Sequence, residues 1–438
     1  MFNRIIHTFI TRVLSAAASL LIAIVISRYL GAGGKGEQSL IITTIAMIML
    51  ASNLMAGAAL VYLSPRMPLR RLALPAVAWS LAVSILAMTL LYLLPVVSSD
   101  FIVDVGALSF ISALSGIMVN LLIGQERIRL ANYLNMLQPL ATLVYLALIL
   151  SLAGSITLAD YVHALYVAFG IPALSGAWAL RHYLLGPQAE ASGGWKDVMA
   201  KMWHYGLLNQ MSHVFQLMSF RLGYYFLDAF TGAASLGKYS NAVAIMESIW
   251  LISKSIAIVH YARISNSDDE AYKRKLTLEL ARFTLVISLI GALVLCFLPE
   301  GIYLWLFGPE FTGLPGMMWS LAPGILAFSL VLIFGHYFSG NGQYGINTRA
   351  SLAGFLVMLL SSLLLIPVMG PYGAGISASL SYIVTAVVTI VWFYKGQVFR
   401  WQDLIAGRGD IRRFNELIKG MLHPVAGSVK GADGGSSA

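Results

Sequence analysis

Arg221 and Lys254 lie inside long apolar stretches of the chain, and Glu247 is the one acidic residue set at comparable depth. Charge at membrane depth costs about 3 kcal/mol per residue on insertion scales, so an intramembrane cation marks a functional site by default. A positive excess of this kind suits a negative cargo. The guanidinium of Arg221 offers a planar fork that matches phosphate oxygens, and Lys254 adds a compact ammonium. Asn209, His213 and Gln216 stand at i, i+4 and i+7 on one helical stripe, and Gln210 shares an adjacent stripe with Arg221. In lipid these groups need partners, so they should face a cavity or another helix.

Each charged position has a second reading. Arg221 sits about 9 Å by helical rise from the outer end of its stretch, where it could snorkel to the surface or pair with Asp228. Lys254 lies about 12 Å from the cytoplasmic end, a longer reach. Ser240, Glu247 and Lys254 recur at heptad spacing and share nearly one face. Glu247 is therefore either a water-bridged internal partner of Lys254 or a titratable cavity carboxylate that couples transport to protons. Near the N-terminus, Thr8, Arg12, Ser15 and Ser19 form a further stripe, with Arg12 as headgroup anchor or cavity cation. Arg28, at the outer rim, caps its helix C-terminus or meets an anion leaving the cavity. His163, His204, His260 and His336 read as hydrogen-bonded structural groups.

The elements that must position these residues are membrane helices. The chain has 438 residues, 58% hydrophobic and only 11% charged, with a mean hydropathy of +0.79. A soluble domain carries about 25% charged residues. The net charge of +9 does not point to nucleic acid, because Lys and Arg fall in short clusters between apolar spans. The single cysteine, Cys296, excludes a disulfide framework or a cysteine zinc site within one chain. No cleavable signal peptide is expected, since the first apolar stretch runs on past Arg28.

At about 20 apolar residues per crossing, twelve spans are expected. They fall near 11–30, 38–63, 72–95, 101–123, 132–153, 161–183, 201–227, 236–262, 277–299, 313–338, 348–369 and 372–394. Arg66, Arg70, Arg71, Arg127, Arg129, Arg181, Arg263 and the tail from Lys395 share one side, which the positive-inside rule makes cytoplasmic together with both termini. The opposite side holds only Arg28, Lys35 and Lys238 among its cations. Pro139, Pro323 and Pro367 should bend their helices. Beyond the last span, Ile411, Phe414, Leu417, Ile418, Met421 and Leu422 recur at helical spacing, predicting an amphipathic helix on the membrane surface, and a Gly/Ser-rich disordered end follows it. The expected organisation is a six-helix lobe at 1–184, a linker at 185–200, a second six-helix lobe at 201–398, and a cytoplasmic tail at 399–438.

Two local matches connect the halves. The loop Gly31–Ser39 resembles the loop Gly232–Ser240 at an offset of 201, and Gly124-Gln125 resembles Gly342-Gln343 at an offset of 218. Six spans per half make the repeats parallel, related by an axis along the membrane normal, with substrate expected between them.

Ile26–Gly31 followed by Gly36–Leu40, and Gly340–Gln343 through Ile366-Pro367 to Tyr372–Ala378, resemble the bacterial polysaccharide flippases. These belong to the MOP superfamily (multidrug/oligosaccharidyl-lipid/polysaccharide), which also contains the MATE drug antiporters and the lipid II flippases. The resemblance spans residues 1–398, and its loose, glycine-based motifs speak to the superfamily more than to the cargo. It implies an all-α polytopic membrane protein, with two six-helix lobes around a central cavity, and no enzyme activity. It also implies a transporter in the inner membrane that moves undecaprenyl-diphosphate-linked oligosaccharide (an O-antigen, capsule or exopolysaccharide unit) to the outer leaflet by alternating access. No cofactor is implied beyond a coupling proton or sodium ion. Membrane lipids are implied partners, and a glycan polymerase or export machinery is a candidate one. The substrate contacts would then be Lys254, Arg221, Asn209, Gln210, His213, Gln216, Arg12 and Arg28, with Glu247 the ion-coupling candidate. A MATE-type antiporter for organic cations is the alternative; it calls for carboxylates, and the N-terminal half has no acidic residue within a span. A membrane polymerase or acyltransferase is a second alternative, which outer loops of about 5 to 15 residues do not favour.

Overall fold

The computed structural model describes residues 2–94, 96–185 and 194–395; side chains are described from Thr11 onward, apart from Leu208 and Asn209. The amphipathic helix expected at 411–422, residues 186–193 of the 185–200 linker, and the side chains of Thr8 and Asn209 lie outside the described residues.

The described residues form helices and no strand. In chain order these are α1 (Phe2–Ala56), α2 (Ala58–Leu63), α3 (Leu69–Leu93), α4 (Ile102–Gly124), α5 (Ile128–Ala153) and α6 (Leu158–Leu185). A second series follows: α7 (Trp195–Thr231), α8 (Ala233–Glu247), α9 (Trp250–Ser265), α10 (Glu270–Phe297), α11 (Glu300–Phe307), α12 (Leu314–Gly340) and α13 (Tyr344–Phe393). Eight helices are long and apolar enough to cross a membrane, or nine when α8 and α9, bent by 43° at Ser248-Ile249, count as one span. Two of these, α1 and α13, are double-length and break at Gly31 and Gly370. α7 is the remaining crossing: its 37 residues suffice in length, while its polar stripe lowers its hydropathy. The chain is a multi-pass membrane protein whose crossings match the twelve spans read from the sequence.

The structure corrects the reading of Gly31–Ser39 and Gly232–Ser240 as loops. Only the first residue of each leaves helical geometry, Gly31 at φ 69°, ψ −171° and Gly232 at φ 84°, ψ 166°. A glycine can reverse the chain in a single residue at such positive φ, so the next helix starts at once. The two glycines have nearly the same conformation at an offset of 201. The second repeat match is real but shifted. Gln125, Glu126 and Arg127 donate backbone bonds to Leu121, Ile123 and Leu122; Asn341, Gly342 and Gln343 donate to Tyr337, Ser339 and Phe338. The left-handed residues are Glu126 (φ 58°) and Gly342 (φ 73°). The offset is therefore 216, and Gly124 corresponds to Gly340 rather than Gly342.

Helices α1–α6 make one lobe and α7–α13 the other. In the first, α4 packs on α3 and α6, burying Ile26, Leu108 and Leu165. In the second, α13 packs on α7 and α12, and buried Trp250, Phe328 and Tyr382 fill the core. Pro139, Pro323 and Pro367 sit inside helices that continue through them.

Candidate functional site between the lobes

The second limb of α1 is the strut on which the site is built, because it touches both leading helices of the other lobe. At the Gly31 face it meets α8. A Cβ added to Gly36 would stand 1.9 Å from the Ala233 carbonyl oxygen, and one on Gly237 would stand 1.9 Å from that of Ala32. Between them the Ser39 hydroxyl donates to Ser240 Oγ at 2.9 Å. Ser39 meets its own repeat counterpart, and Gly36 and Gly237 each approach the residue one helical turn before theirs. Farther along, Thr44 and the Tyr225 hydroxyl share a hydrogen bond of 2.9 Å. Near the opposite face, which carries the basic clusters, α1 lies against α7: a Cβ on Gly206 would be 1.6 Å from the Leu54 carbonyl oxygen. The Tyr62 and Tyr205 rings meet there at 4.5 Å, tilted by 40°.

The other seam, between the first limb of α1 and α8–α9, behaves differently. Asn241 Nδ2 donates to Ser27 Oγ at 2.8 Å near the Gly31 face. Beyond the bend, α9 packs on α10 and α12 rather than on α1. Arg12 and Lys254, one from each lobe, are exposed along this stretch. The Lys254 ammonium lies within electrostatic reach of Glu247, Arg221 and Arg12. Its described contact is the Trp250 ring, 5.7 Å away, and it has no ion-pair partner among the described residues.

Arg221 is held by Glu247. Its Nη1 and Nη2 donate to the two carboxylate oxygens at 2.8 and 2.9 Å, a two-pronged pairing that fixes direction as well as charge. The side chains remain 24% and 19% exposed, so the pair is not fully enclosed. Tyr224 lies under the guanidinium at 5.3 Å, and Phe220, Trp250, Phe328 and Tyr382 form an aromatic block beside it. The structure replaces three sequence readings here. Arg221 neither snorkels nor pairs with Asp228, and the partner of Glu247 is Arg221 rather than Lys254. Spacing along one helix could not show this, because the pair joins two helices.

The remaining predicted residues divide. His213 is exposed and Gln216 half-buried, while Gln210 is buried, with its amide 3.4 Å from the Leu50 carbonyl in the lobe contact. Ser15 and Ser19 turn their hydroxyls back onto the carbonyls of Thr11 and Ser15, a local satisfaction common in helices. Arg28 caps a helix C-terminus, as one reading had it, but the helix is α11: Nε donates to the Leu306 carbonyl at 2.9 Å and Nη2 to that of Trp305. Across the break, Glu310 accepts from the Ala32 N–H at 2.7 Å, an anion at a helix start. His260 bonds Thr277 and His336 the Leu332 carbonyl. Asp104 lies within the first turn of α4, bonded to the Tyr166 hydroxyl at 2.7 Å, so the first lobe does have a carboxylate inside a helix, at its end.

Lys35 was placed at the rim by the sequence, yet it is buried, 7% exposed, donating to Gln38 Oε1 at 2.6 Å; Gln38 in turn donates to Tyr161. The i, i+3 spacing of Lys35 and Gln38 was the available signal, hidden by treating the segment as loop. Among the described residues no group of three His, Cys, Asp or Glu could hold a metal ion.

No family model matches the chain. It is 26% identical over 172 residues, 39% of its length, to the capsular polysaccharide biosynthesis protein CapF of Staphylococcus aureus. It is 23% identical over 202 residues, 45% of its length, to the uncharacterized membrane protein MJ1068 of Methanocaldococcus jannaschii. These matches span 43% and 40% of the relatives' own lengths. The solved structures reach across nearly the whole chain. The lipid II flippase MurJ in an inward closed conformation superposes with a TM-score of 0.72, covering 92% of this chain and 89% of that one at 13% identity. A MATE-family multidrug resistance transporter of the MOP superfamily, in its inward-facing conformation, gives 0.67, with 92% and 96% covered at 14% identity.

The chain has the MOP-superfamily fold.

The outward-facing form of a MATE transporter of that superfamily scores lower, 0.59 at 14% identity, over 94% of this chain and 96% of the other.

Proposed function

We propose that this MOP-fold protein is a flippase for undecaprenyl-diphosphate-linked oligosaccharide, carrying an O-antigen, capsule or exopolysaccharide unit from the cytoplasmic to the outer leaflet. The observation that supports it is the charge balance around Lys254. Arg221 and Arg12 lie within electrostatic reach of it, and the one carboxylate in that group, Glu247, is already committed to Arg221. An anionic diphosphate gains from that excess, whereas an organic cation would meet repulsion. The likeness of part of the chain to a capsular polysaccharide biosynthesis protein and the full-length likeness to a lipid II flippase favour the same cargo class. In this reading the basic face is cytoplasmic, both termini lie there, and the membrane is the bacterial inner membrane. Arg12 and Lys254 lie where α9 packs on α10 and α12 rather than on α1, and in this reading the headgroup enters between α1 and α9 while the polyprenyl chain stays in lipid. Alternating access then closes that side and parts the Gly31 face, with a proton or sodium gradient as the candidate driving force.

The MATE-type reading draws on the fold likeness to a multidrug transporter, and one experiment separates the two. Deleting the gene is expected to raise lipid-linked repeat units in the cytoplasmic leaflet and to lower surface glycan, with sensitivity to cationic drugs unchanged. Normal surface glycan with altered drug sensitivity would overturn the flippase reading.

A further inference from the structure

We infer that Glu247 is a resident counter-anion that occupies the Arg221 fork in the empty protein and is displaced by the substrate diphosphate. The inference rests on the flippase reading and assigns Glu247 a role within it: a gatekeeper of occupancy in place of an ion-coupling group.

Four observations carry it. A carboxylate and a phosphate present the same pair of oxygens to a guanidinium, and Glu247 uses both of its own, at 2.8 and 2.9 Å. About a fifth of each side chain is exposed, so an incoming anion can reach the fork. A second cation, Lys254, stands within electrostatic reach without a carboxylate of its own. Finally, Glu247 is the last residue of α8, directly before the 43° bend into α9. The bond to Arg221 therefore ties α7 to the joint of a broken helix.

Displacement follows from charge. A diphosphate brings more negative charge than one carboxylate and can bond Arg221 and Lys254 together, whereas both Glu247 oxygens bond Arg221. Once Glu247 is released, the α8–α9 joint loses its tie to α7, and α9 can move toward the first limb of α1. Occupancy of the fork is thereby linked to the approach of α9 and α1. Without substrate, Glu247 keeps Arg221 from being filled by other anions and keeps the joint fixed.

The test uses the full chain in nanodiscs of neutral lipid, with undecaprenyl diphosphate as the probe and undecaprenol as the uncharged control. Glu247→Gln keeps the shape and removes the competing charge. It is expected to bind the diphosphate about tenfold or more tightly than wild type and to lose transport. Arg221→Gln is expected to bind at least tenfold more weakly, and the double variant should match Arg221→Gln alone. Thermal unfolding of each variant in the same nanodiscs establishes that it is folded. If wild type binds the diphosphate and folded Glu247→Gln binds it no more tightly, the displacement idea is overturned while the flippase reading stands. If wild type and Glu247→Gln both treat diphosphate and undecaprenol alike, the substrate reading and this inference fall together.

Discussion

At positions 201 residues apart the two lobes agree on geometry and disagree on charge. Gly31 and Gly232, Gly36 and Gly237, and Ser39 and Ser240 are matched pairs that reverse the chain or meet across the lobe contact. The polar stripes of the leading helices also correspond, Arg12 with His213 and Ser15 with Gln216. Yet the first lobe has Leu20 where the second has Arg221, and Ala46 where it has Glu247. Main-chain shape and the meeting surface are shared; the ion pair belongs to one lobe. The repeat thus supplies a scaffold for rocking, while substrate handling is concentrated in the second half.

That contrast can be broken most completely at the matched surface. In a Cys296→Ser background, Ser39→Cys with Ser240→Cys should cross-link under oxidation, because the native hydroxyls are 2.9 Å apart. Transport is expected to stop and to return with reductant. Transport that continued in the cross-linked protein would mean the Gly31 face need not open.

The next largest effect lies at the unmatched pair. Arg221→Leu, which installs the first lobe's residue, strands Glu247 and should cost about 3 kcal/mol, the low end for breaking a buried pair because both side chains are partly exposed. Arg221→Leu with Glu247→Ala should recover most of that loss while transport stays absent. Thermal unfolding of the two variants measures the difference, and equal destabilisation would mean the pair is not coupled.

Smaller and symmetric effects are expected at the glycines. Gly36→Ala and Gly237→Ala each place a methyl against a backbone oxygen, so each should destabilise the closed Gly31 face by about 1–3 kcal/mol. The two should match within about 0.5 kcal/mol, and unequal losses would show that the repeat is less regular energetically than it is geometrically. Lys254→Ala should change stability least, by under about 0.5 kcal/mol, since the side chain is exposed and has no ion-pair partner among the described residues. Its effect should appear in transport alone.

Much of the fold was legible because hydrocarbon imposes helices of a set length, and hydropathy reports them. The repeat was legible through glycines, whose positive φ the chain reversals require. What escaped was contact between helices distant in sequence. Arg221 and Glu247 were both singled out, but nothing along either helix says that their faces meet. Arg28 was read as a helix cap, and only the fold shows that the capped helix is α11. Lys35 was misplaced because a Gly-Ala-Gly-Gly-Lys run reads as a loop, whereas one strained glycine suffices and the helix resumes. The bend at Ser248-Ile249 left no trace either, since neither glycine nor proline marks it.

The contact at the Gly31 face has a consequence for origin. Ser39 bonding Ser240, with Gly36 on Ala233 and Gly237 on Ala32, is the reciprocal pattern of an isologous interface, in which one patch meets a second copy of itself. The two lobes join as protomers of a two-fold homodimer would, carried on one chain. In a true homodimer every substitution is made twice, and a cation placed at position 221 of one copy would be repeated in the other. Fusion removes that constraint. A self-complementary surface can then stay matched while a charge is added on one side of the axis only, which is the arrangement that Leu20 and Arg221 display.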